Sequence, residues 1–162
     1  MNLKITLQNA IALGAGSLQA ALLILALIAP AGADGTNVNA STEPPLAIQG
    51  YDPVAYFTEG KAVKGSNAHE MLFDDTRWLF TSASHKEMFA ADPDRFMPQY
   101  GAFCAGAMAA GIRAPANPEN WVIVNGKLYM LAGGKPDLEY WIKHAADNIK
   151  SADQSWARFT NP

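Results

Sequence analysis

Cys104 is the only cysteine in this chain of 162 residues and the side chain best suited to bind a soft metal or to react covalently. Met108 follows it by four positions, so on a helix the two sulfur atoms would lie on one face. Thiolate and thioether sulfur are soft ligands, which favour Cu(I) over hard cations. His85 would supply a third donor if folding brings its segment to Cys104. The alternative is that both sulfur side chains fill space in the core.

Tyr51 and Asp52 form a second candidate group. Asp52 precedes Pro53, and an aspartate before a proline is typical of the first turn of a helix. We therefore expect Asp52 to cap a short helix and Tyr51 to pack or hydrogen-bond nearby. The alternative is that both side chains line a pocket together with Cys104.

A thiol-dependent enzyme is the third interpretation of the same residues. A cysteine nucleophile needs a base within hydrogen-bond reach and a group that orients this base, and Cys104, His85 and Asp52 would have to supply them. The sequence contains no glycine-rich phosphate loop, no paired histidines on a helix and no nucleophile elbow. We therefore predict that the protein is not an enzyme.

The N-terminal segment has the pattern of a secretion signal. Residues 1–33 contain one charge, Lys4, and an apolar run from Ala20 to Ala29 that ends in Ala31-Gly32-Ala33. This pattern predicts a signal peptide cleaved after Ala33, a periplasmic or secreted protein, and no stable membrane span after cleavage. The alternative is a retained anchor, because residues 11–29 nearly reach the ~20 residues that a bilayer requires.

The charge balance argues against nucleic acid as a partner. The net charge is −3 and becomes −4 when Lys4 is lost with the signal. No run of Lys or Arg is present to engage phosphates. The remaining partner classes are an unknown protein and a metal-handling partner. The single cysteine also excludes a disulfide within the chain.

Turn signals and hydrophobic spacing predict an α+β domain. A β-hairpin is expected at residues 69–81 and another at 121–131, where Asn125-Gly126 favours a type I′ turn. Helices are expected after Asp52, from Ser84 to Phe89, from Asp92 to Phe96, within 101–111, along 138–149, and from Ser151 or Asp153 onward.

The predicted architecture is a small antiparallel sheet built from the two hairpins, surrounded by short helices, with a longer C-terminal helix packed on it. Residues 34–45 are rich in polar and turn-forming residues and are expected to be a flexible lead-in. Residues 46–162 are then one domain. The sequence shows no internal repeat.

Three segments in order resemble the exported bacterial YHS-domain family, which is related to heavy-metal-binding domains. They are Gly50-Tyr51-Asp52-Pro53-Val54-Ala55-Tyr56-Phe57, then Trp78-Leu79-Phe80-Thr81-Ser82 with His85, and then Pro98-Gln99-Tyr100-Gly101 leading to Cys104-Ala105. The resemblance extends over residues 50–111, and the segment from Asn117 to Trp121 fits the exported subgroup. It implies a small α+β module found in copper-handling and other metal-associated proteins.

The metal-binding signature of that family is incomplete in this chain. Members with a clear signature carry a cysteine after Asp-Pro-Val and another after the aromatic strand, where this sequence has Ala55 and Thr81. His85 occupies the place after the strand where a Cys or His is often found. The resemblance therefore implies a YHS-like binding module, associated with copper through Cys104. The alternative is a metal-free module for a small molecule or a protein.

Overall fold

The computed structural model describes residues 43–161. The predicted signal peptide at residues 1–33 and residues 34–42 of the predicted lead-in lie outside this range. Within it, no helix has both the length and the apolar character needed to cross a bilayer.

The described residues form an α+β fold, as the sequence predicted. They contain two short 3₁₀ turns, four strands and six α-helices. In chain order these are the turn Ala47–Gly50, α1 (Ala55–Thr58), β1 (Ser66–Phe73), β2 (Thr76–Phe80), α2 (Ala83–Ala91), α3 (Pro93–Phe96), the turn Gln99–Ala102, α4 (Ala105–Ala109), β3 (Asn117–Val124), β4 (Lys127–Leu131), α5 (Lys135–Lys143) and α6 (Ala145–Thr160).

Both predicted hairpins are confirmed. Strand β1 pairs with β2, and β3 pairs with β4, in antiparallel register. The turns Asp74-Asp75 and Asn125-Gly126 have positive φ at both residues, as a type I′ turn requires. The hairpins do not join into the single sheet that the sequence predicted. Each is a separate two-stranded sheet.

The described chain contains an internal structural repeat that the sequence did not reveal. A first motif (residues 46–91) and a second motif (residues 98–143) each consist of a 3₁₀ turn, a short helix, a hairpin and a nine-residue helix. Equivalent elements begin 50 to 52 positions apart: Ala47 matches Gln99 and Ala83 matches Lys135 at 52, and Ala55 matches Ala105 at 50.

The backbone hydrogen bonds of the two motifs repeat as well. Each 3₁₀ turn has consecutive residues at positive φ and ends in one matching bond, Tyr51 N to Ile48 O and Phe103 N to Tyr100 O, both 3.1 Å. The residue before each turn forms a parallel bridge to its own hairpin, and the residue after it forms an antiparallel bridge to the segment before that hairpin. These bridges are Leu46 to Arg77, Pro98 to Leu128, Tyr51 to Lys64 and Phe103 to Pro115.

Strand β4 joins the cores of the two motifs. Its residues alternate in direction, as in any strand, so Leu128 and Met130 pack into one hydrophobic cluster while Tyr129 and Leu131 pack into the other. All four side chains are buried. Strand β4 therefore contributes side chains to the hydrophobic clusters of both motifs.

Three helix boundaries differ from the prediction. Helix α2 is capped by Ser82 instead of Ser84, because the Ser82 hydroxyl accepts the His85 N–H. Helix α4 begins after Cys104 and spans five residues of the predicted 101–111 segment. The third difference is in the C-terminal region, where α5 and α6 meet at His144 and no new helix starts at Ser151 or Asp153.

Helix α6 packs on the second motif through a tyrosine. The Tyr100 hydroxyl donates to Asp153 Oδ1 at 2.8 Å, and its ring lies against Trp156 with centroids 6.1 Å apart. Burial and the hydrogen bond to Asp153 raise the pKa of the Tyr100 hydroxyl. The contact that fixes α6 therefore depends on a neutral tyrosine.

This contact predicts a loss of stability at high pH. The folded-state pKa of Tyr100 lies above its unfolded value of 10.0, so the stabilisation is complete below pH 10 and is lost as the pH rises through the folded pKa. Urea unfolding at several pH values should show this decline in the parent protein. Tyr100→Phe should weaken the decline and cost about 1 kcal/mol at neutral pH. Tyr140→Phe, at a tyrosine that is 65% exposed, is the control. An identical decline in Tyr100→Phe would contradict the assignment.

Candidate functional site

Asp52 is a fully buried carboxylate at the start of the first motif. Its Oδ1 accepts the Val54 N–H at 2.9 Å, and its Oδ2 accepts the Thr81 N–H and hydroxyl, each at 2.8 Å. The prediction that Asp52 caps a short helix therefore describes only part of its role. Val54 is the N-cap residue of α1, while Asp52 ties the start of this helix to the end of strand β2.

His85 covers this carboxylate. Its Nδ1 lies 2.6 Å from Asp52 Oδ2, and its Nε2 lies 3.3 Å from the Thr58 hydroxyl. The Asp52 side chain is 0% exposed and the His85 side chain 14% exposed. Both ring nitrogens of His85 have hydrogen-bond partners within the first motif, so Asp52, Thr58, Thr81 and His85 form a self-contained hydrogen-bonded group.

Tyr51 lies at the surface. Its hydroxyl donates to Glu119 Oε1 at 2.8 Å, and the Lys64 ammonium sits 3.9 Å from its ring centroid. The hydrogen bond to Glu119 raises the pKa of Tyr51. Neither Tyr51 nor Asp52 is among the residues that line the pocket at Cys104, where the alternative interpretation placed them.

Cys104 occupies the position in the second motif that Asp52 occupies in the first. The Asp52 N–H donates to Val63 O at 2.8 Å, and the Cys104 N–H donates to Ala114 O at 2.9 Å. Thr81 and Ala132, the residues directly after β2 and β4, donate N–H groups to Asp52 Oδ2 and to Cys104 Sγ respectively. The thiol therefore occupies the equivalent of a carboxylate site.

The Cys104 sulfur has two backbone donors. It accepts the Ala132 N–H at 3.2 Å and the Ala107 N–H at 3.4 Å, and the residue is 6% exposed. Sulfur is a weak acceptor, so these contacts hold the side chain in place more than they stabilise the fold. The thiol faces a pocket.

A pocket of about 300 Å³ opens at Cys104 in the second motif. Cys104 and Gly106 form one wall, helix α5 forms another, and α6 contributes one amide. The polar and aromatic side chains of these two helices that line it are Asp137, Tyr140, Trp141 and Asn148.

Trp141 brings a buried polar donor to this pocket. Its indole Nε1 is shielded from solvent and has no hydrogen-bond partner among the described residues, and the residue is 2% exposed. A Cβ placed on Gly106 would lie 3.9 Å from Trp141 Cδ1, the atom bonded to Nε1, and 3.8 Å from Cys104 Sγ. The Cδ1 atom of the indole and the thiol therefore both lie beside Gly106.

One side chain that covers the carboxylate in the first motif is replaced in the second. His85 and Asp137 are each the third residue of the nine-residue helix of their motif. Gly106, which has no side chain, borders the space between Cys104 and Trp141. His85 covers Asp52, whereas Asp137 lies at the pocket wall and is exposed.

The predicted metal donors are only partly brought together. Cys104 and Met108 lie in the same hydrophobic cluster, and Met108 N donates to Cys104 O at 2.9 Å. His85 lies in the first motif with both nitrogens engaged, so these residues do not fit a copper site that includes it. Residues 43–161 contain no group of three or more His, Cys, Asp or Glu placed to hold a metal ion. Copper binding through Cys104 and Met108 stays a prediction.

A larger pocket, of about 440 Å³, lies elsewhere and has different chemistry. Its walls are mainly apolar and include Leu46, Ile48, Phe73 and Trp78. Among the described residues, the buried side-chain polar atom without a hydrogen-bond partner is Trp141 Nε1. Trp141 does not line this larger pocket. The pocket at Cys104 is therefore the better candidate.

The sequence pointed to Cys104 but missed the residues that make its pocket. Gly106, Asp137 and Trp141 carry no local signal of a site, because a glycine between alanines and an amphipathic helix are ordinary patterns. The match of Cys104 to Asp52 comes from the backbone hydrogen bonds of the two motifs, which the sequence does not show.

Comparison with protein-family models, with curated proteins and with solved structures gave no match. The resemblance to the YHS-domain family therefore stays a prediction.

The buried carboxylate predicts a large stability effect. Asp52→Ala removes the acceptor for Val54 N, Thr81 N and His85 Nδ1, and should destabilise the protein by about 3–5 kcal/mol in urea unfolding. Asp92→Ala, which removes only the cap of α3, should cost about 1 kcal/mol and is the control. Equal losses in the two variants would show that Asp52 is no more than a helix cap.

Proposed function

We propose that this protein is a small-molecule binding module whose site is the pocket at Cys104. The observation that carries the proposal is the buried Trp141 Nε1, a hydrogen-bond donor without a partner among the described residues, at a pocket that also contains the thiol. Leaving a buried donor unpaired costs about 1–3 kcal/mol, so a ligand that supplies an acceptor there recovers this energy on binding.

The composition of the pocket supports binding of a compact molecule. Leu131, Gly106 and the two aromatic rings supply apolar walls, while the thiol, one carboxylate, one amide and the indole supply polar contacts. An apolar cavity with a few placed polar groups is the usual form of a small-ligand site. The volume of about 300 Å³ is at the lower end of the usual range for such sites.

The surroundings of the thiol favour binding over catalysis. A cysteine nucleophile needs a neighbouring base, and the hydrogen-bond partners of Cys104 Sγ in the described residues are two backbone N–H groups. His85, the base that the sequence offered, is paired with Asp52. We therefore propose a binding role for Cys104, as a soft polar contact in the wall of the pocket.

Phenol, imidazole and acetamide test the proposal as small probes. Each probe should be titrated into ¹⁵N-labelled protein while the indole N–H resonance of Trp141 is followed by NMR, with Trp141→Phe used for assignment. At least one probe should shift this resonance to saturation, with a dissociation constant of about 1 mM or below. Gly106→Val should abolish the shift, because the added side chain would occupy the space beside Cys104 Sγ and Trp141.

Two further variants make this test decisive. Ala90→Val adds the same side chain at an exposed position of α2 and should leave probe binding unchanged. Gly106→Ala places a Cβ at ordinary contact distance and should weaken binding without disturbing the fold, should Gly106→Val fail to fold. The proposal is wrong if no probe shifts the Trp141 resonance, or if Gly106→Val binds as well as the parent.

Cu(I) association is the second candidate function. The supporting observation is that a thiol and a thioether lie one helical turn apart in one cluster, which gives two soft donors. The burial of Met108, which is 0% exposed, ranks this candidate below the first.

An anaerobic Cu(I) competition titration distinguishes the two candidates. If copper is the ligand, the protein should bind one equivalent, Cys104→Ala should lose it, and His85→Ala should retain it, because His85 is engaged with Asp52. Binding with this pattern would make copper the leading function. Absence of Cu(I) binding by the parent protein would remove copper from consideration.

A further inference from the structure

We infer that the ligand of the Cys104 pocket is a small organic cation, an amine or amidine, that also carries a hydrogen-bond acceptor. This inference rests on the proposed function and specifies the ligand class of the same site.

The charge of the pocket wall is the first argument. Asp137 is the one ionisable acid among the lining residues, and no Lys, Arg or His lies among them. A carboxylate that faces a partly apolar pocket without a neighbouring base favours a positively charged ligand. An anionic ligand would meet Asp137 with nothing in the pocket wall to balance it.

The aromatic side chains of the pocket favour the same class. Tyr140 and Trp141 are consecutive residues of α5, and both line the pocket beside Asp137. Aromatic faces attract ammonium and guanidinium groups, and the attraction is larger where water is displaced. Two aromatic rings and one carboxylate are a common combination for holding an organic cation.

Comparison of the two motifs supplies an independent argument. In the first motif the acceptor Asp52 is matched by the donor His85, whose ring nitrogen lies 2.6 Å from the carboxylate. In the second motif the equivalent positions hold Cys104, whose thiol is a weak donor and a weak acceptor, and Asp137, whose carboxylate is an acceptor. The second motif therefore lacks the N–H donor that closes the first, and a bound cation would take the place of the imidazole.

The indole of Trp141 adds a requirement of opposite kind. Its buried N–H needs an acceptor, which a simple alkylammonium ion does not have. A ligand that carries a hydroxyl or carbonyl oxygen as well as its cationic nitrogen satisfies both the indole and Asp137. The apolar part of such a molecule would lie against Leu131 and Gly106.

Three 4-substituted phenols of similar size and different charge test this inference. They are tyramine, which is cationic, 4-ethylphenol, which is neutral, and 3-(4-hydroxyphenyl)propionate, which is anionic. The titration follows the Trp141 indole resonance by NMR. Tyramine should bind at least about tenfold more tightly than the other two, and added salt should weaken tyramine binding most.

Two variants separate charge recognition from folding. Asp137→Asn should reduce the affinity for tyramine to that of 4-ethylphenol while leaving 4-ethylphenol binding unchanged. Asp147→Asn removes an equal charge from the first turn of α6, outside the pocket wall, and should keep the preference for tyramine.

The outcomes distinguish this inference from the proposed function. Equal binding of all three probes, or a preference for the anion, would overturn the cation inference and leave the pocket as a binding site. A tyramine preference that survives in Asp137→Asn would overturn the assignment of Asp137 and the inference with it. If none of the three shifts the Trp141 resonance, the inference fails together with the proposed site.

Discussion

The fold of the first motif depends on one buried acceptor side chain, that of Asp52, and Cys104 holds the equivalent position in the second motif. Asp52 and Cys104 both follow a turn of left-handed residues, and both receive an N–H from the residue just after the hairpin of their own motif. This contact holds the end of a two-stranded sheet against the start of a short helix. An isolated hairpin is marginally stable in water, so each motif needs such a connection as well as the shared core.

The same position has opposite consequences in the two motifs. In the first, a histidine covers the carboxylate, and the result is a structural element. In the second, a thiol and an aspartate occupy the equivalent positions, and the result is a pocket lined by an indole whose nitrogen has no partner among the described residues. The first motif then supplies stability, while the second has room for a ligand.

The shared strand β4 explains how an open site is tolerated. Leu128 and Met130 pack into the hydrophobic cluster of the first motif, and Tyr129 and Leu131 pack into the cluster of the second motif. Leu131 borders the pocket and is 3% exposed, so the wall of the site is part of a buried strand. Helix α6 adds a further support through Tyr100 and Asp153. The pocket is thus built on fixed elements, which is the arrangement that a specific site needs.

The sequence by itself determined the α+β class and both hairpins, and it singled out Cys104 as a candidate. These follow from local causes: positive-φ turn residues such as Asn125-Gly126, alternation of apolar residues, and the chemistry of a single thiol. Tertiary structure decided the rest. The two motifs share a backbone design but few identical residues, since hydrogen bonds between backbone groups do not depend on side-chain type. The break at His144 and the pairing of His85 with Asp52 follow from contacts between distant segments. The pocket itself arises because Gly106 and Asp137, which lie far apart in the chain, line one space together with Trp141, and no local pattern in the sequence predicts that.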